Sequence, residues 1–193
     1  ITNIGQEEEF EHKEKNALKI GASKVFIADM RQEFVTAYIY PVYKTNTIYE
    51  GRYLLGTAIA RPIIAKKQIE IARQINAEYV SHGCTGKGND QVRFELAYKA
   101  LAPQLKVIAP WRIWDIHSRE DAINYAQQKG IDLGNISRTN IYSRDRNIWH
   151  MSHEGGELER NWTRPREEMF TLSKSPEEAP DRETEVTIEF DQG

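Results

Sequence analysis

Apolar and polar residues follow two spacings along the first two thirds of the chain, one typical of strands and one of helices. Short apolar runs with charged or polar ends predict buried parallel strands at residues 24–29 and 105–109. Residues 79–82 read as a further strand, and residues 1–6 contain the end of another. We therefore expect a sheet whose strands are separated by longer, helical segments.

Between these strands the apolar residues recur every three or four positions, which predicts helices. The helices are expected at residues 6–20, 30–43, 53–75 (a turn and then a helix) and 118–129, and from Asn89 or Asp90 onwards. Pro41 is expected to end the second of them. The predicted buried faces are Ile64, Ile71, Ala72 and Ile75 in one helix, and Val92, Leu96, Ala97 and Ala100 in another.

Alternation of strand and helix predicts an α/β fold with a doubly wound parallel sheet. From about residue 131 the pattern changes, and turn residues crowd 134–140. Residues 160–182 are rich in Pro, Glu and Arg and predict a loop, whereas residues 185–190 alternate and predict an edge-type antiparallel strand. We interpret this last third as the beginning of a second domain.

Composition narrows the class of protein without naming a function. The chain has 193 residues, 39% of them hydrophobic and 28% charged, which is typical of globular domains. Its formal net charge of −3 argues against a general nucleic-acid surface. The single cysteine, Cys84, allows no internal disulfide, and neither a signal peptide nor a membrane-length apolar run is visible. We expect a cytoplasmic protein without nucleic-acid or membrane partners.

The loop after residues 79–82 is the strongest candidate for chemistry. It carries glycines at Gly83, Gly86 and Gly88 and leads into a helix, whose first N–H groups and dipole favour an anion. Lys87 adds a full positive charge. The spacing is not that of a Walker A loop, and glycine count alone would equally suit a tight strand–helix turn.

Polar side chains at the start of this helix indicate what the ligand is. Thr85, Asn89, Asp90 and Arg93 offer a hydroxyl, an amide, a carboxylate and a guanidinium. Asn89 and Arg93 are four residues apart and share a helix face. This set suits a zwitterion such as an amino acid better than a bare phosphate.

Other residues admit two interpretations each. Trp111 and Arg112 follow strand 105–109, at the sheet edge where ligands bind in open α/β folds. Tyr53 is either a half-buried core residue or a ligand contact, and Arg61 either pairs with a carboxylate or lies exposed. The five histidines show no zinc-ligand spacing, although His150 and His153 are three apart, so no metal site is predicted. No Ser/His/Asp grouping appears either, so no catalytic triad is predicted.

At these residues the chain resembles argininosuccinate synthase. Over residues 82–95 that family carries His-Gly-Ala-Thr-Gly-Lys-Gly-Asn-Asp-Gln-Val-Arg-Phe-Glu, and this chain differs only at Cys84. Further blocks resemble the family at residues 3–6, 53–62 and 107–112, and more loosely at 142–155. The match runs in one order over nearly the whole chain. Cys84 is then a small residue in place of alanine rather than a reactive thiol.

The resemblance implies a fold and a reaction. The fold is that of the adenine nucleotide alpha hydrolase-like, N-type ATP pyrophosphatases, with a nucleotide-binding domain at 1–132 and the start of an α+β synthetase domain at 133–193. The family joins citrulline to aspartate at the expense of ATP and releases AMP and pyrophosphate. The ureido oxygen of citrulline attacks the α-phosphorus, and the aspartate amine then displaces AMP from the citrullyl adenylate. This ligation belongs to arginine biosynthesis.

The resemblance also implies roles for single residues. The citrulline-binding residues are Tyr53, Asn89, Arg93, Ser143 and Ser152. The aspartate-binding residues are Thr85, Asn89 and Asp90, and those next to ATP are Thr2 and Gly83. Mg²⁺ is expected to arrive with ATP, and the full-length protein is expected to form a homotetramer.

Three departures from the family limit these expectations. The pyrophosphate-binding run Ser-Gly-Gly-Leu-Asp-Thr-Ser is absent, the sequence stops well before the family's C-terminal end, and Ala58 stands where many members have a citrulline-contacting serine. We therefore expect this chain alone to form no adenylate. One alternative remains open: a non-catalytic amino-acid-binding or assembly module that has lost its ATP loop. Another ATP pyrophosphatase, acting on tRNA or with an amidotransferase, would need catalytic cysteines or a basic RNA surface, and the sequence shows neither.

Overall fold

The computed structural model describes residues 1–7, 9–86, 88–133 and 143–191. The strands are β1 (Thr2–Asn3), β2 (Ala28–Asp29), β3 (Tyr79–Ser81), β4 (Lys106–Ile108), β5 (Ser143–Arg146) and β6 (Met151–Glu154). The α-helices are α1 (Phe10–Lys19), α2 (Arg31–Phe34), α3 (Tyr40–Lys44), α4 (Gly56–Gln74), α5 (Asn89–Leu101), α6 (Pro110–Ile113) and α7 (Arg119–Gln128). A π-helical turn, Val35–Ile39, joins α2 to α3, and Gly156–Glu159 and Glu167–Met169 are 3₁₀ turns.

Strands β1 to β4 pair in parallel, as predicted for an α/β protein. β1 pairs with β2, and β3 pairs with β4 in the register Tyr79 to Lys106, Val80 to Val107 and Ser81 to Ile108. Each pair forms its own two-stranded sheet in the described residues, and β5 pairs with β6 in a third. The α/β class and the parallel pairing are thus confirmed at the level of short sheets.

Helix α4 organises the hydrophobic core, because buried residues along its length belong to two clusters. Its first half contributes Ala60 and Ile63 to a cluster with β1 and α2 that includes Ile4 and Phe34. Its second half contributes to a cluster with β3 and α5, which consists of Ala65, Ile69, Ala72, Val80, Tyr98 and Ala102. Helix α4 therefore sets the position of β3 and α5, which carry the glycine loop between them.

Two helix boundaries differ from the sequence prediction. Helix α1 begins at Phe10 rather than at residue 6, because Glu7 adopts a left-handed backbone with φ +54°. The predicted break at Pro41 is wrong, since helix continues to Lys44. The π turn before α3 changes the i−4 geometry that a proline ring obstructs, so Pro41 fits into the first turn of α3.

The predicted buried faces of the two long helices are also wrong in part. Ile75 lies just beyond the last residue of α4 and is 51% exposed, and the buried residues of the helix include Ile63 and Ile69 instead. In α5, Leu96 is 63% exposed, whereas Tyr98 is buried. Both helices have apolar residues on several sides, so the spacing alone does not identify the face that packs.

Two predicted strands are shorter or missing. Residues 24–29 form a strand only at Ala28–Asp29, and Ile27 is 44% exposed, because among the described residues the partner of this segment is the two-residue strand β1. The strand predicted at 185–190 is wrong: these residues lack regular structure, and Val186 is 76% exposed. An alternating pattern forms a strand only when a second strand supplies hydrogen-bond partners.

Two compact units make up the chain. The first comprises Ile1–Asn140 and Arg144–Ser152, and the second comprises Ile141–Ser143 and His153–Gly193. The second unit consists mainly of turns and irregular chain with the two 3₁₀ turns. In the described part of the chain, no helix has the length and apolar character needed to cross a bilayer.

Candidate functional site

The glycine loop lies where the parallel strands β3 and β4 end. Because these strands share direction and register, the residues after each come together at one sheet edge. A Cβ built on Gly86 would lie 3.9 Å from the carbonyl oxygen of Trp111, within ordinary van der Waals distance. The predicted position of Trp111 and Arg112 at the carboxyl end of β4 is confirmed, and both residues lie beside the loop. Lys87 lies outside the described residues.

Helix α5 begins directly after the loop and presents polar residues in its first turn. The helix begins at Asn89, one of the two predicted starting residues, but Gly88 in extended conformation is the N-cap, so neither Asn89 nor Asp90, both good N-cap residues by type, caps it. Both residues lie inside the first turn instead, where the Asp90 carboxylate is favoured by the helix dipole. Thr85 and Asn89 are exposed and therefore accessible to a ligand.

Asp90 is the centre of a network of charged side chains. Arg61 Nε donates to Asp90 Oδ2 over 2.7 Å, and Arg93 Nη1 donates to Asp90 Oδ1 over 2.8 Å. Arg61 Nη2 also donates to Asp145 Oδ1 over 2.9 Å, and the Thr57 hydroxyl donates to Asp145 Oδ2 over 3.2 Å. Of the two interpretations of Arg61, pairing with a carboxylate is confirmed.

The electrostatics of this network follow from its charge balance. Burial on its own would lower the pKa of Arg61, but Asp145 and Asp90 outweigh it and raise that pKa. Two arginines and two aspartates sum to zero, and the ion-paired side chains are 20–33% exposed. The network is therefore partly solvated, and an incoming charged ligand can exchange with one of its members.

A second group of side chains surrounds the start of helix α4. Tyr53 is half-buried, and its ring lies 5.5 Å from the ring of His150, measured between centroids. A Cβ on Gly56 would overlap the His150 ring, so only glycine leaves room there. Asn147 donates from its side chain to the Gly56 carbonyl over 3.2 Å. Ala58, where a serine is common in the resembling family, is half-buried in the first turn of α4.

The structure brings some of the predicted residues together and leaves others apart. Gly83 and Thr85 lie in the loop, and Asn89, Asp90 and Arg93 lie on the first turns of α5. Thr2 lies in β1, where its carbonyl accepts from Gln6 Nε2, and Ser152 lies half-buried in β6. Ser143, in β5, belongs to the second unit. Among the described residues, no side-chain hydrogen bond links Tyr53, Thr2 or Ser152 to the Asp90 network.

Sequence reasoning missed several members of these groups. No sequence signal identifies Asp145 or Thr57 as site residues, and His82 and His150 enter the sequence predictions only among the five histidines that lack zinc-ligand spacing. Asp145 is 84 residues from Arg61, so no local spacing indicates their pairing. Within the described residues, no cluster of three or more His, Cys, Asp or Glu is placed to hold a metal ion.

Cys84 is half-buried in the loop, and burial, reinforced by the charge of Asp90, raises the pKa of its thiol. A raised pKa keeps the thiol protonated at neutral pH, which is the opposite of an activated nucleophile. This agrees with the interpretation of Cys84 as a small residue in the place of alanine.

Comparison with known protein families gives matches over both parts of the chain. Residues 1–132 match the family described as arginosuccinate synthase N-terminal HUP domain, and residues 142–193 match the arginosuccinate synthase C-terminal domain.

Curated relatives give the same result. The chain is 59% identical over 191 residues to an argininosuccinate synthase of Desulforamulus reducens, covering 99% of this chain and 47% of that protein. It is 56% identical to one from Roseiflexus castenholzii, again over 99% of this chain and 47% of the relative, and 52% identical to one from a Thermoanaerobacter species, over 99% and 46%. The chain spans about half the length of the curated relatives it matches.

Proposed function

The chain belongs to the argininosuccinate synthase family, and from this premise we propose that the native protein joins citrulline to aspartate at the expense of ATP. The products are argininosuccinate, AMP and pyrophosphate, formed through a citrullyl adenylate, as a step of arginine biosynthesis. Because the chain spans about half of its relatives, the activity is proposed for the whole protein, to which this chain contributes binding residues.

The observation that carries the proposal is the Asp90 network beside an open loop. Arg61, Asp90 and Arg93 combine two guanidinium groups and a carboxylate at the start of α5, next to the exposed Thr85 and Asn89. An α-amino acid likewise carries a positive group, its ammonium, and a negative group, its carboxylate. The site can therefore bind such a ligand by exchanging one ion pair for another.

We assign the aspartate substrate to Thr85, Asn89 and Asp90. The substrate ammonium takes the place of Arg93 on Asp90 Oδ1, while Arg61 keeps Asp90 Oδ2 and so holds the carboxylate in position. Arg93, released from Asp90, then faces the carboxylate of citrulline. After this exchange Asp90 pairs with the substrate ammonium and Arg93 pairs with the citrulline carboxylate, so neither side chain is left with an unpaired charge.

We assign citrulline to Tyr53, Asn89 and Arg93, with hydroxyl contacts from Ser143 and Ser152. The Tyr53 ring is held against His150, which restricts its orientation. Ala58 offers no hydroxyl at the start of α4, a difference from many family members that would cost about 1 kcal/mol of binding if nothing replaces it. Ser143 lies in the second unit, and its role is proposed for the whole protein.

We assign ATP to the surroundings of Thr2 and Gly83. A Cβ built on Gly83 meets no atom within 4 Å, so there is open space for a nucleotide to approach the backbone. Mg²⁺, bound to the phosphates of ATP, supplies neutralising charge, while the residues of this chain bind and orient the two amino acids. Reaction then depends on closeness and charge neutralisation rather than on a general base.

The architecture proposed for the whole protein is one doubly wound sheet that contains both parallel pairs, β1–β2 and β3–β4. Residues 1–132 belong to its nucleotide-binding domain and residues 133–193 to the start of the synthetase domain. The alternating strands and helices and the family matches on either side of residue 132 support this division. We further propose a cytoplasmic homotetramer with no nucleic-acid or membrane partner.

Replacing Arg93 by alanine tests the citrulline site. Loss of one charged contact to the substrate carboxylate is expected to weaken citrulline binding by roughly tenfold or more, corresponding to about 1.5–3 kcal/mol. Isothermal titration calorimetry of citrulline and of aspartate with the native protein measures both affinities.

The matched control is Lys99→Ala, which removes an exposed cation from the same helix. It should leave both affinities unchanged. An unaltered affinity for citrulline in Arg93→Ala would remove Arg93 from the site, and equal losses in both variants would reduce the effect to general charge.

A further inference from the structure

His82, at the end of β3, is almost completely buried, with a side chain that is 3% exposed. Its ring stacks on Phe94 and Tyr98 of helix α5, with centroid separations of 6.1 and 6.5 Å. Most buried polar side-chain atoms have a hydrogen-bond partner, and both ring nitrogens of His82 have one. One partner lies in the glycine loop and the other on helix α5.

The two hydrogen bonds of His82 define its tautomer. The backbone N–H of Cys84 donates to His82 Nδ1 over 3.3 Å, so Nδ1 carries a lone pair. Nε2 lies 2.9 Å from Glu95 Oε1 and must donate its proton there. Burial would raise the pKa of Glu95, but hydrogen bonds from Arg112 and His82 lower it overall, which keeps this acceptor ionised.

Glu95 continues the chain of contacts to the other end of the loop. Arg112 donates to both oxygens of Glu95, from Nη1 over 3.2 Å and from Nη2. Arg112 also donates to Gln91 Oε1, from Nε over 3.1 Å and from Nη2 over 2.6 Å. Gln91 Nε2 then donates to the carbonyl oxygen of Gly86 over 2.8 Å.

We propose that His82 is a positioning residue that, together with Glu95, Arg112 and Gln91, braces the glycine loop at two points. The brace holds the Cys84 N–H and the Gly86 carbonyl, and Thr85 lies between them. It thereby fixes Thr85 relative to Asn89 and Asp90, the residues assigned to aspartate. The proposal rests on the proposed function for its consequence in catalysis, but the brace itself is a property of the fold.

Each ring nitrogen of His82 makes one hydrogen bond, so two different substitutions can remove the two hydrogen bonds one at a time. In His82→Asn the amide oxygen lies near the position of Nδ1 and can accept from Cys84, but it cannot reach Glu95. In His82→Gln the amide nitrogen lies near the position of Nε2 and can donate to Glu95, while the acceptor for Cys84 is lost. His117→Asn, at an exposed histidine, is the control.

The tautomer of His82 can be measured in the native protein, without a variant. Selective ¹⁵N-histidine labelling of the native protein should show His82 as the Nε2–H tautomer. Hydrogen exchange of the peptide that covers residues 82–86 should then speed up about tenfold or more in His82→Gln, and should stay close to wild type in His82→Asn and in the control. The Nδ1–H tautomer, or equal exchange in all variants, would overturn the brace.

The second measurement is kinetic. His82→Gln should raise the KM for aspartate about tenfold, the factor to which 1.4 kcal/mol corresponds, and change kcat less. His82→Asn should restore most of this loss. Gln91→Leu, at a half-buried helix position that should tolerate the change, should raise the same KM and serves if the His82 variants fail to fold.

Thr85→Val separates failure of the brace from failure of the proposed function. If Thr85→Val leaves the KM for aspartate unchanged, the loop is not the aspartate site and the proposed function of these residues is wrong. If Thr85→Val raises that KM but His82→Gln and Gln91→Leu do not, the site stands and the positioning role of His82 is overturned.

Discussion

At the scale of single residues, His150 shows how much a buried polar group depends on its neighbours. Both ring nitrogens are buried and, among the described residues, lack a hydrogen-bond partner. The ring occupies the space that Gly56 leaves open and contacts the Tyr53 ring in a tilted arrangement, with an interplanar angle of 53°. Desolvation lowers the pKa of His150 from its usual value, so the ring is neutral in the folded protein at pH 7.

This lowered pKa predicts how stability depends on pH. Below about pH 6.5 the unfolded chain binds a proton at this histidine while the folded chain does not, so the free energy of unfolding falls as the pH falls. The loss can reach about 1.4 kcal/mol per pH unit. Urea unfolding between pH 7.5 and 5 should show a shallower fall in His150→Gln than in wild type.

The control for this experiment is His12→Gln, at an exposed position of helix α1. If His150→Gln keeps the pH dependence of wild type, His150 does not titrate differently in the folded and unfolded states. The result would then contradict the burial of its ring nitrogens.

At the scale of elements, the start of helix α4 depends on a glycine for reasons that helix propensity does not supply. Alanine is intrinsically more favourable than glycine inside a helix by up to about 1 kcal/mol. Gly56 has no positive φ that would demand glycine. What excludes a Cβ there is the His150 ring, which the hairpin between β5 and β6 places against it.

Gly56→Ala should therefore destabilise the protein, by about 1–3 kcal/mol, the usual loss for overpacking a buried contact. Thermal unfolding measured by circular dichroism shows directly whether the substitution lowers or raises the unfolding temperature. Gly83→Ala is the matched control, because a Cβ at Gly83 meets open space and should leave the unfolding temperature unchanged. A stabilised Gly56→Ala would mean that propensity outweighs the contact.

The elements also show which predictions local pattern supports. Helix α7 has the Ser118 capping box with Asp121 and ends at Gln128, just before Lys129 and Gly130, the latter with φ +65°, as its sequence indicates. These signals lie within a few residues of the element they define. The strand predicted at 185–190 has an equally clear pattern, but a strand depends on a partner that its own sequence does not specify.

At the scale of the whole molecule, residues 144–152 join distant parts of the first unit. Asp145 binds Arg61 and Thr57 on α4, and the Ile148 N–H donates to the Ile4 carbonyl over 2.9 Å. This short segment therefore contacts helix α4, which supports the candidate site, as well as the residue that follows β1. The domain division at residue 132 stays a prediction.

Asp145→Asn should weaken the contact between residues 144–152 and helix α4. The ion pair with Arg61 is partly exposed, so the loss of unfolding free energy is expected at about 1 kcal/mol and should shrink at high salt. Urea unfolding at low and high salt measures both effects. Asp115→Asn, at a carboxylate that is 98% exposed, should change stability by less than about 0.5 kcal/mol. Equal effects of the two substitutions would contradict a special role for Asp145.

The sequence by itself determined the features that depend on neighbouring residues: the α/β class, the helices α5 and α7, the glycine loop after β3, and family membership through residues 82–95. Tertiary structure alone decided the features that depend on contacts between distant residues. These are the pairing of Arg61 with Asp145, the packing of the His150 ring into the space beside Gly56, and the two-point brace from His82. The physical reason is that backbone propensity and capping act within a turn or two of the chain, whereas ion pairs and packing join whichever side chains the fold brings together.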